Sequence, residues 1–304
     1  NNSYAKPYET LVQMYGPVKY NAIDPTIFVA ITFPFFFGFC LTDGGYGIIV
    51  TLLGYILYKG MGKMNETFSD FGKIVMACGI WAVILGLITN GFIGDFFTRF
   101  LGITIPTVIP MFDAFKHPAN ILIVAIAVGI LYTNIGFIIG AINNLRNGDK
   151  KEALGSQIVW FILEIGIILL AAGYMVPAIG QIGIIAGLAL VVLTLILLVY
   201  ASGIYGVMDV FGFLGDVLSY ARLLALCLAT GGIAMTVNIL AQLVGTSIPY
   251  VGILIAIFLF IFGHIANFAF QVLGAGVNAL RLNYVEFFGQ FFVNGKNMFE
   301  PFKA

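Results

Sequence analysis

The sequence predicts an all-α polytopic membrane protein with about eight transmembrane helices, the last two long and strongly tilted. Three observations predict it. Hydrophobic residues make up 61% of the 304-residue chain and charged residues 9%, whereas an ordinary soluble domain carries about 25% charge. The apolar residues gather into runs at about 25–41, 45–58, 74–93, 119–142, 153–173, 183–202, 207–244 and 251–292, most of them long enough to cross a bilayer. After Arg222 the next Asp, Glu, Lys or Arg is Arg281, so both arginines belong to apolar runs.

Residues 1–24 are polar, with Leu11, Val12, Tyr15 and Val18 at helical spacing between Tyr8 and Tyr20, and are expected to form an amphipathic cytoplasmic connector on the membrane surface. Residues 25–304 are the transmembrane domain. The chain starts without Met at Asn1, Asn2 and Ser3 and shows no charged, cleavable leader, so it is expected to be the membrane half of a longer polypeptide with a missing N-terminal cytoplasmic domain. Lys6, Lys19, Lys59, Lys63, Lys73, Arg146, Lys150, Lys151, Lys296 and Lys303 all fall on one side of an eight-span arrangement. Basic residues favour the cytoplasm, so both termini are assigned there. The loop from Gly94 to Pro118, with Pro106 and Pro110, lies on the opposite side and is expected to hold a short re-entrant or interfacial piece. Gly136 and Gly140, and Gly183 and Gly187, have the small-residue spacing that lets helices approach in lipid. Cys40, Cys78 and Cys227 have no metal-ligand spacing and read as packed, reduced thiols. No metal, no cofactor and no catalytic chemistry is expected in the chain itself. Formal net charge is zero, so bulk charge argues neither for nor against acidic partners, and no nucleic acid is expected.

Two intramembrane arginines need explaining. Each costs about 2.5–3.5 kcal/mol at mid-helix on insertion scales, which makes an ionisable residue there a functional candidate. The run from about Gly203 to Gly245, read as one helix, is roughly 60 Å long, twice a hydrocarbon core. On it Asp209, Asp216, Ser219, Arg222 and Thr230 share a broad arc. On the last run His264, Asn267, Gln271, Asn278 and Arg281 fall within about 100 degrees, with Glu286 just beyond. Such a stripe faces protein or water: it is either an interhelical hydrogen-bond ladder or the wall of a hydrated path. If the two runs fold back about Gly245–Tyr250, Gln271 lies opposite Leu224 and Arg281 near Gly215. Asp216 is then within reach of Arg281, while Arg222 either lacks a carboxylate or pairs with Asp216 or Asp209. Asp43 and Asp95 sit at span ends on the side poor in Lys and Arg, as solvated turn acids or as channel groups. Glu164 is alone in mid-span and is expected to be protonated or paired.

The stretch GDVLSYARLLAL around Arg222, with GVNALRLNYVEFFGQFF from Gly276 to Phe292, resembles the last two membrane helices of the a/I subunit of rotary V-type and archaeal A-type ATPases. TFPFFFGFCLTDGGYG from Thr32 to Gly47 is similar to that family's first hairpin. The resemblance covers essentially the whole chain. It implies a stator beside a proteolipid c/K ring, with Arg222 and Arg281 in ion translocation. It further implies two half-channels lined by Asp43, Asp95, Glu164, Asp209, Asp216, His264, Asn267, Gln271, Asn278 and Glu286. Implied partners are the ring, other V/A-type ATPase subunits including the peripheral stalk and central-stalk cap, and the lipid bilayer, in an archaeal or bacterial plasma membrane. Where some members, notably eukaryotic ones, have titratable residues, this chain has Thr230, Gln271 and Asn278. It has no nucleotide-binding motif, so ATP chemistry would belong to partners. The rival expectation is a stand-alone secondary transporter with a midplane site.

Overall fold

The computed structural model describes residues 1–19, 22–63, 65–103, 108–176, 180–203, 206–248 and 250–292. Tyr20, Pro106, Lys296 and Lys303, used in the sequence argument, lie outside them. Among the described residues the chain is helical: α1 Glu9–Tyr15, α2 Thr26–Leu41, α3 Gly44–Lys59, α4 Glu66–Thr89, α5 Phe96–Phe100, α6 Pro118–Asn147, α7 Lys150–Ala153, α8 Val159–Met175, α9 Gly180–Ser202, α10 Gly206–Ser219, α11 Ala221–Ser247 and α12 Gly252–Arg281. Among the described residues six stretches are long and apolar enough to cross a membrane: Glu66–Thr89, Pro118–Asn147, Leu154–Met175, Gly180–Ala201, Met208–Ser247 and Gly252–Gln290. The expected first two spans are α2 and α3, each only 16 residues, about 24 Å against a core of about 30 Å.

Two compact units divide the chain. One comprises Asn1–Tyr15, Asp24–Ile126 and Tyr220–Asn283. Its centre is α2, which packs on α4, α11 and α12 and is apolar and buried on several sides, as a helix without a polar face must be. The α3–α4 hairpin closes backbone to backbone. A Cβ on Gly72 would lie 2.6 Å from Tyr58 N, and one on Gly47 would lie 2.7 Å from Val83 N, so no larger residue fits this approach. Asn65 caps α4, its Oδ1 accepting from Thr67 N at 3.0 Å. The amphipathic lead-in is shorter than expected. Its helix ends at Tyr15 because Pro17 lacks an N–H and biases Gly16 away from helical backbone. Val12 is buried, and Tyr4 donates to Ala30 O at 3.2 Å. The loop after α4, expected to hold a short re-entrant or interfacial piece, contains the short helix α5.

The other unit contains Ala127–Ser219 and the segment beginning at Tyr284. α8 lies along α9, and its core gathers Phe137, Val159, Trp160, Leu163, Leu198 and Phe213. Trp160 and Phe213 stack at 4.8 Å between ring centroids. After Arg281 the chain continues as a π-helical turn, Leu282–Phe287, and a 3-10 turn, Phe288–Gln290. The run expected as a single seventh span is divided at Tyr220 into α10 and α11.

Candidate functional site

Within the first unit, α11 and α12 form an antiparallel pair whose register sets the polar groups. Gln271 lies 3.1 Å from Thr230 Oγ1, and Asn278 faces Arg222. This corrects the expected pairing of Gln271 with Leu224 by more than a turn. The cause is local: α11 does not stop at Gly245 but continues to Ser247, and α12 starts only at Gly252, so the fold-back comes later.

Arg222 is half-buried in the first turn of α11. Its Nη1 donates to Asn278 Oδ1 over 3.4 Å, a long bond. Asn278 Nδ2 in turn donates to Gly274 O at 2.8 Å, which holds the amide oxygen toward the guanidinium. Among the described residues no carboxylate is in ion-pair contact with Arg222. Arg281 is exposed in the last turn of α12, where a cation suits the helix dipole.

Toward the other end of the hairpin a row of side chains joins α3, α5, α11 and α12. Arg99 bonds Asp95 through Nε at 2.7 Å and Nη2 at 2.6 Å, and its Nη1 reaches Gln242 Oε1 at 2.8 Å. Asp95 Oδ1 accepts from Asn238 Nδ2 at 3.0 Å, and the same amide nitrogen donates to Ile93 O at 2.9 Å. Asn238 Oδ1 is 2.9 Å from His264 Nε2, and His264 Nδ1 is 2.7 Å from the Tyr46 hydroxyl. Asn267 Nδ2 completes the row, donating to Tyr46 Oη at 3.1 Å and Thr230 O at 3.2 Å. Asp95 is held below the usual carboxylate range. Its burial works the other way, but the hydrogen bonds from Arg99 and Asn238 and the Arg99 charge outweigh it.

Asp43 is not a solvated turn acid: it is 1% exposed. It caps α3, with Oδ1 accepting from Tyr46 N at 3.0 Å and Oδ2 from Gly94 N at 3.3 Å. Gly94 has φ +65, and a Cβ there would lie 2.7 Å from Met235 N, so glycine is what lets this loop close onto α11. A cavity of about 250 Å³ opens beside Asp95, lined also by Asp113, Lys116 and Phe115.

In the second unit Asn134 Nδ2 donates to Glu164 Oε2 at 2.8 Å, so Glu164 is paired, with an amide. Asp216, which the expected fold-back put within reach of Arg281, accepts at Oδ2 from Gln290 Nε2 at 2.9 Å. Glu286 is buried, and its backbone carbonyl accepts from Gln290. Asp209 is exposed. It lines, with Asp216, Ser156, Trp160 and Gln290, a cavity of about 320 Å³.

Sequence reasoning missed Tyr46 and Asn238. Asn238 is 0% exposed and lies eight residues after Thr230 on one buried face with Ala234 and Ala241. An amide at that spacing in an apolar run was the available signal. Tyr46 follows Asp43 within TDGGYG, and only the tertiary fold reveals its partner on α12.

Comparison with known proteins agrees with the resemblance. Residues 1–103 match the model of the V-type ATPase 116kDa subunit family. All of this chain aligns with 45% of the A-type ATP synthase subunit I of Methanothermobacter thermautotrophicus, at 61% identity over 304 residues. It aligns likewise with 48% of the subunit I of Methanocaldococcus jannaschii, at 41% identity over 337 residues. The subunit I of Pyrococcus abyssi matches at 40% identity over 311 residues, again with all of this chain and 47% of that protein. The chain thus spans a little under half the length of these relatives. With the matched hairpin motif at one end of the sequence and the two-arginine helices at the other, it belongs to the V-type ATPase 116kDa subunit family.

Proposed function

We propose that this chain is the ion-translocating stator of a rotary ATP synthase, crossing the membrane eight times with both termini in the cytoplasm and packing beside a ring of small carboxylate-bearing subunits. The observation that carries the reading is Arg222, a guanidinium inside an apolar helix whose hydrogen-bond partner is the neutral amide of Asn278. Such a charge remains available to an outside carboxylate.

The mechanism is electrostatic. A ring carboxylate crosses lipid neutralised by its ion. Beside Arg222 the fixed positive charge favours the ionised carboxylate and the ion departs. Arg222 also bars direct leakage, since a passing cation meets like charge in a low dielectric. The cavity at Asp95 is the outer vestibule and the cavity at Asp209 and Asp216 the inner one. This side assignment rests on the distribution of Lys and Arg. The residues N-terminal to α2 connect this sector to a cytoplasmic domain, and stalk subunits and lipid complete its surroundings.

The test is ATP-driven ion uptake by the assembled complex in vesicles. Arg222→Ala should assemble and fail to transport, and Arg222→Lys should be poor because a point-like ammonium does not reproduce a planar guanidinium. Normal uptake by Arg222→Ala would overturn the reading, as would transport by this chain purified without any ring.

A further inference from the structure

The row from Arg99 to Asn267 can be read proton by proton. Asn238 Nδ2 spends both hydrogens on acceptors that cannot donate, Ile93 O and the Asp95 carboxylate, so its Oδ1 must be what faces His264. His264 Nε2 therefore carries a hydrogen and donates to it. On the other side of the ring, Asn267 Nδ2 donates to Tyr46 Oη and to Thr230 O. The backbone oxygen of Thr230 accepts only, which fixes the Asn267 amide. The Tyr46 O–H is left to donate to His264 Nδ1 at 2.7 Å. An imidazolium has no place here: a hydrogen on Nδ1 would face the Tyr46 hydroxyl hydrogen, which among the described residues has no other acceptor within hydrogen-bond reach. From Asn267 through Tyr46, His264 and Asn238, each residue donates to the next in the direction of Asp95.

One acceptor in this fixed row stays unused. Asn267 is 3% exposed, and no donor among the described residues reaches its Oδ1. Turning the amide over would set Oδ1 against Thr230 O and strip Tyr46 of a donor, so the fold holds this oxygen open instead of hiding it. Leaving a buried acceptor unpaired costs about 1–3 kcal/mol. Such an atom in a saturated network marks a place for a donor supplied from outside the chain.

We infer that Asn267 Oδ1 is a docking point for an O–H donor of the ion path, water or its protonated form, and that Tyr46, His264 and Asn238 are positioning residues that hold it open. The inference rests on the ion-path reading above. The side-chain row itself does not relay protons, because the Asn238 amide lies between His264 and Asp95. Its task is orientation, with His264 a neutral strut between α3 and α11. Gln271 and Thr230, one turn away on the same pair of helices, continue the polar surface toward Arg222.

The test uses the assembled complex in lipid. The chain has two histidines, so His117→Gln leaves His264 as its sole one. Nitrogen-15 solid-state NMR, with label confined to this chain, should find a protonated Nε2 and a bare Nδ1 at neutral pH, and Asn238→Leu should remove that preference. The Nδ1–H tautomer or an imidazolium in the parent would overturn the lock. Asn267→Leu should keep the tautomer and lower ATP-driven uptake about tenfold, the scale of one lost buried hydrogen bond. Asn267→Ser, which restores an oxygen with room beside it, should recover part of the rate. Uptake by Asn267→Leu at the parental rate, or no recovery by Asn267→Ser, overturns the docking point. If Arg222→Ala is silent while Asn267→Leu is fully active, only this inference falls. If both are active, the ion-path reading falls as well.

Discussion

The guanidinium of Arg222 reaches Asn278 Oδ1 across 3.4 Å, and Asn278 is itself pinned by its bond to Gly274 O. A neutral acceptor at that distance orients Arg222 without cancelling its charge. Replacing the amide by a carboxylate would cancel it. Asn278→Asp is therefore expected to form an ion pair with Arg222 and to cut ATP-driven uptake by about tenfold or more, while Asn278→Ala costs only a few-fold. Equal activity of Asn278→Asp and the parent in vesicle assays would mean that the free charge of Arg222 is not what matters.

Asp95 supplies a pH prediction. Its folded-state pKa lies below the ordinary value, with burial opposed by the bonds from Arg99 and Asn238 and by the Arg99 charge. A depressed carboxylate stabilises the fold above its unfolded pKa, about 3.9, and that contribution disappears as pH falls through the lower folded value. Thermal melts of the parent should lose stability below about pH 4 more steeply than those of Asp95→Asn. Between about pH 6 and 8 Asp95 stays ionised, the anionic half of its pair with Arg99 and not a proton exchanger. Asp95→Asn should slow uptake there without moving the midpoint of its pH profile.

Glu164 and Asn134 make a third prediction. Asn134 donates to Glu164 Oε2, while Glu164 Oε1 and Asn134 Oδ1 are both buried without a partner among the described residues. One proton on Glu164 satisfies both, closing a reciprocal acid–amide pair. Glu164→Gln preserves that pairing and should melt like the parent, whereas Glu164→Ala leaves the amide unsatisfied and should cost about 1–3 kcal/mol. Infrared difference spectra between parent and Glu164→Gln should contain a protonated carboxyl stretch. A carboxylate band in its place would exclude the pair.

The helical, membrane-spanning character of the chain was legible because it depends on composition and run length, which each segment carries alone. Arg222, Arg281 and the polar positions of α12 were legible for the same reason, since a polar group in an apolar run stands out locally. Register was not. Gly245 looked like the turn, but a glycine within an apolar run can stay helical where lipid offers its backbone no other partner, and α11 ran on. The partners of Asp95 and His264 were hidden because Tyr46 and Asn238 lie far away in sequence and neither is titratable near neutral pH. The pairing of Asp216 with Gln290 was hidden by the assumption that a carboxylate in a membrane seeks an arginine.

Arg281 gives the last prediction. It sits exposed in the final turn of α12, and two roles suit that place: a second positive barrier facing the ring, or a tether holding the last helix through Asp216. The hydrogen bond from Gln290 to Asp216 supplies Asp216 with a partner of its own, which favours the barrier. Arg281→Ala should then assemble normally, judged by co-purification of the ring, and fail in ATP-driven uptake. Adding Asp216→Ala should rescue nothing, since Asp216 keeps its bond from Gln290 when Arg281 is removed. Gln290→Leu, by contrast, should destabilise the membrane sector, because it strips Asp216 of its donor. If the double change assembles better than Arg281→Ala alone, the tether is right after all. A fully active Arg281→Ala complex would defeat both roles and leave an arginine that snorkels from the helix end toward the surface.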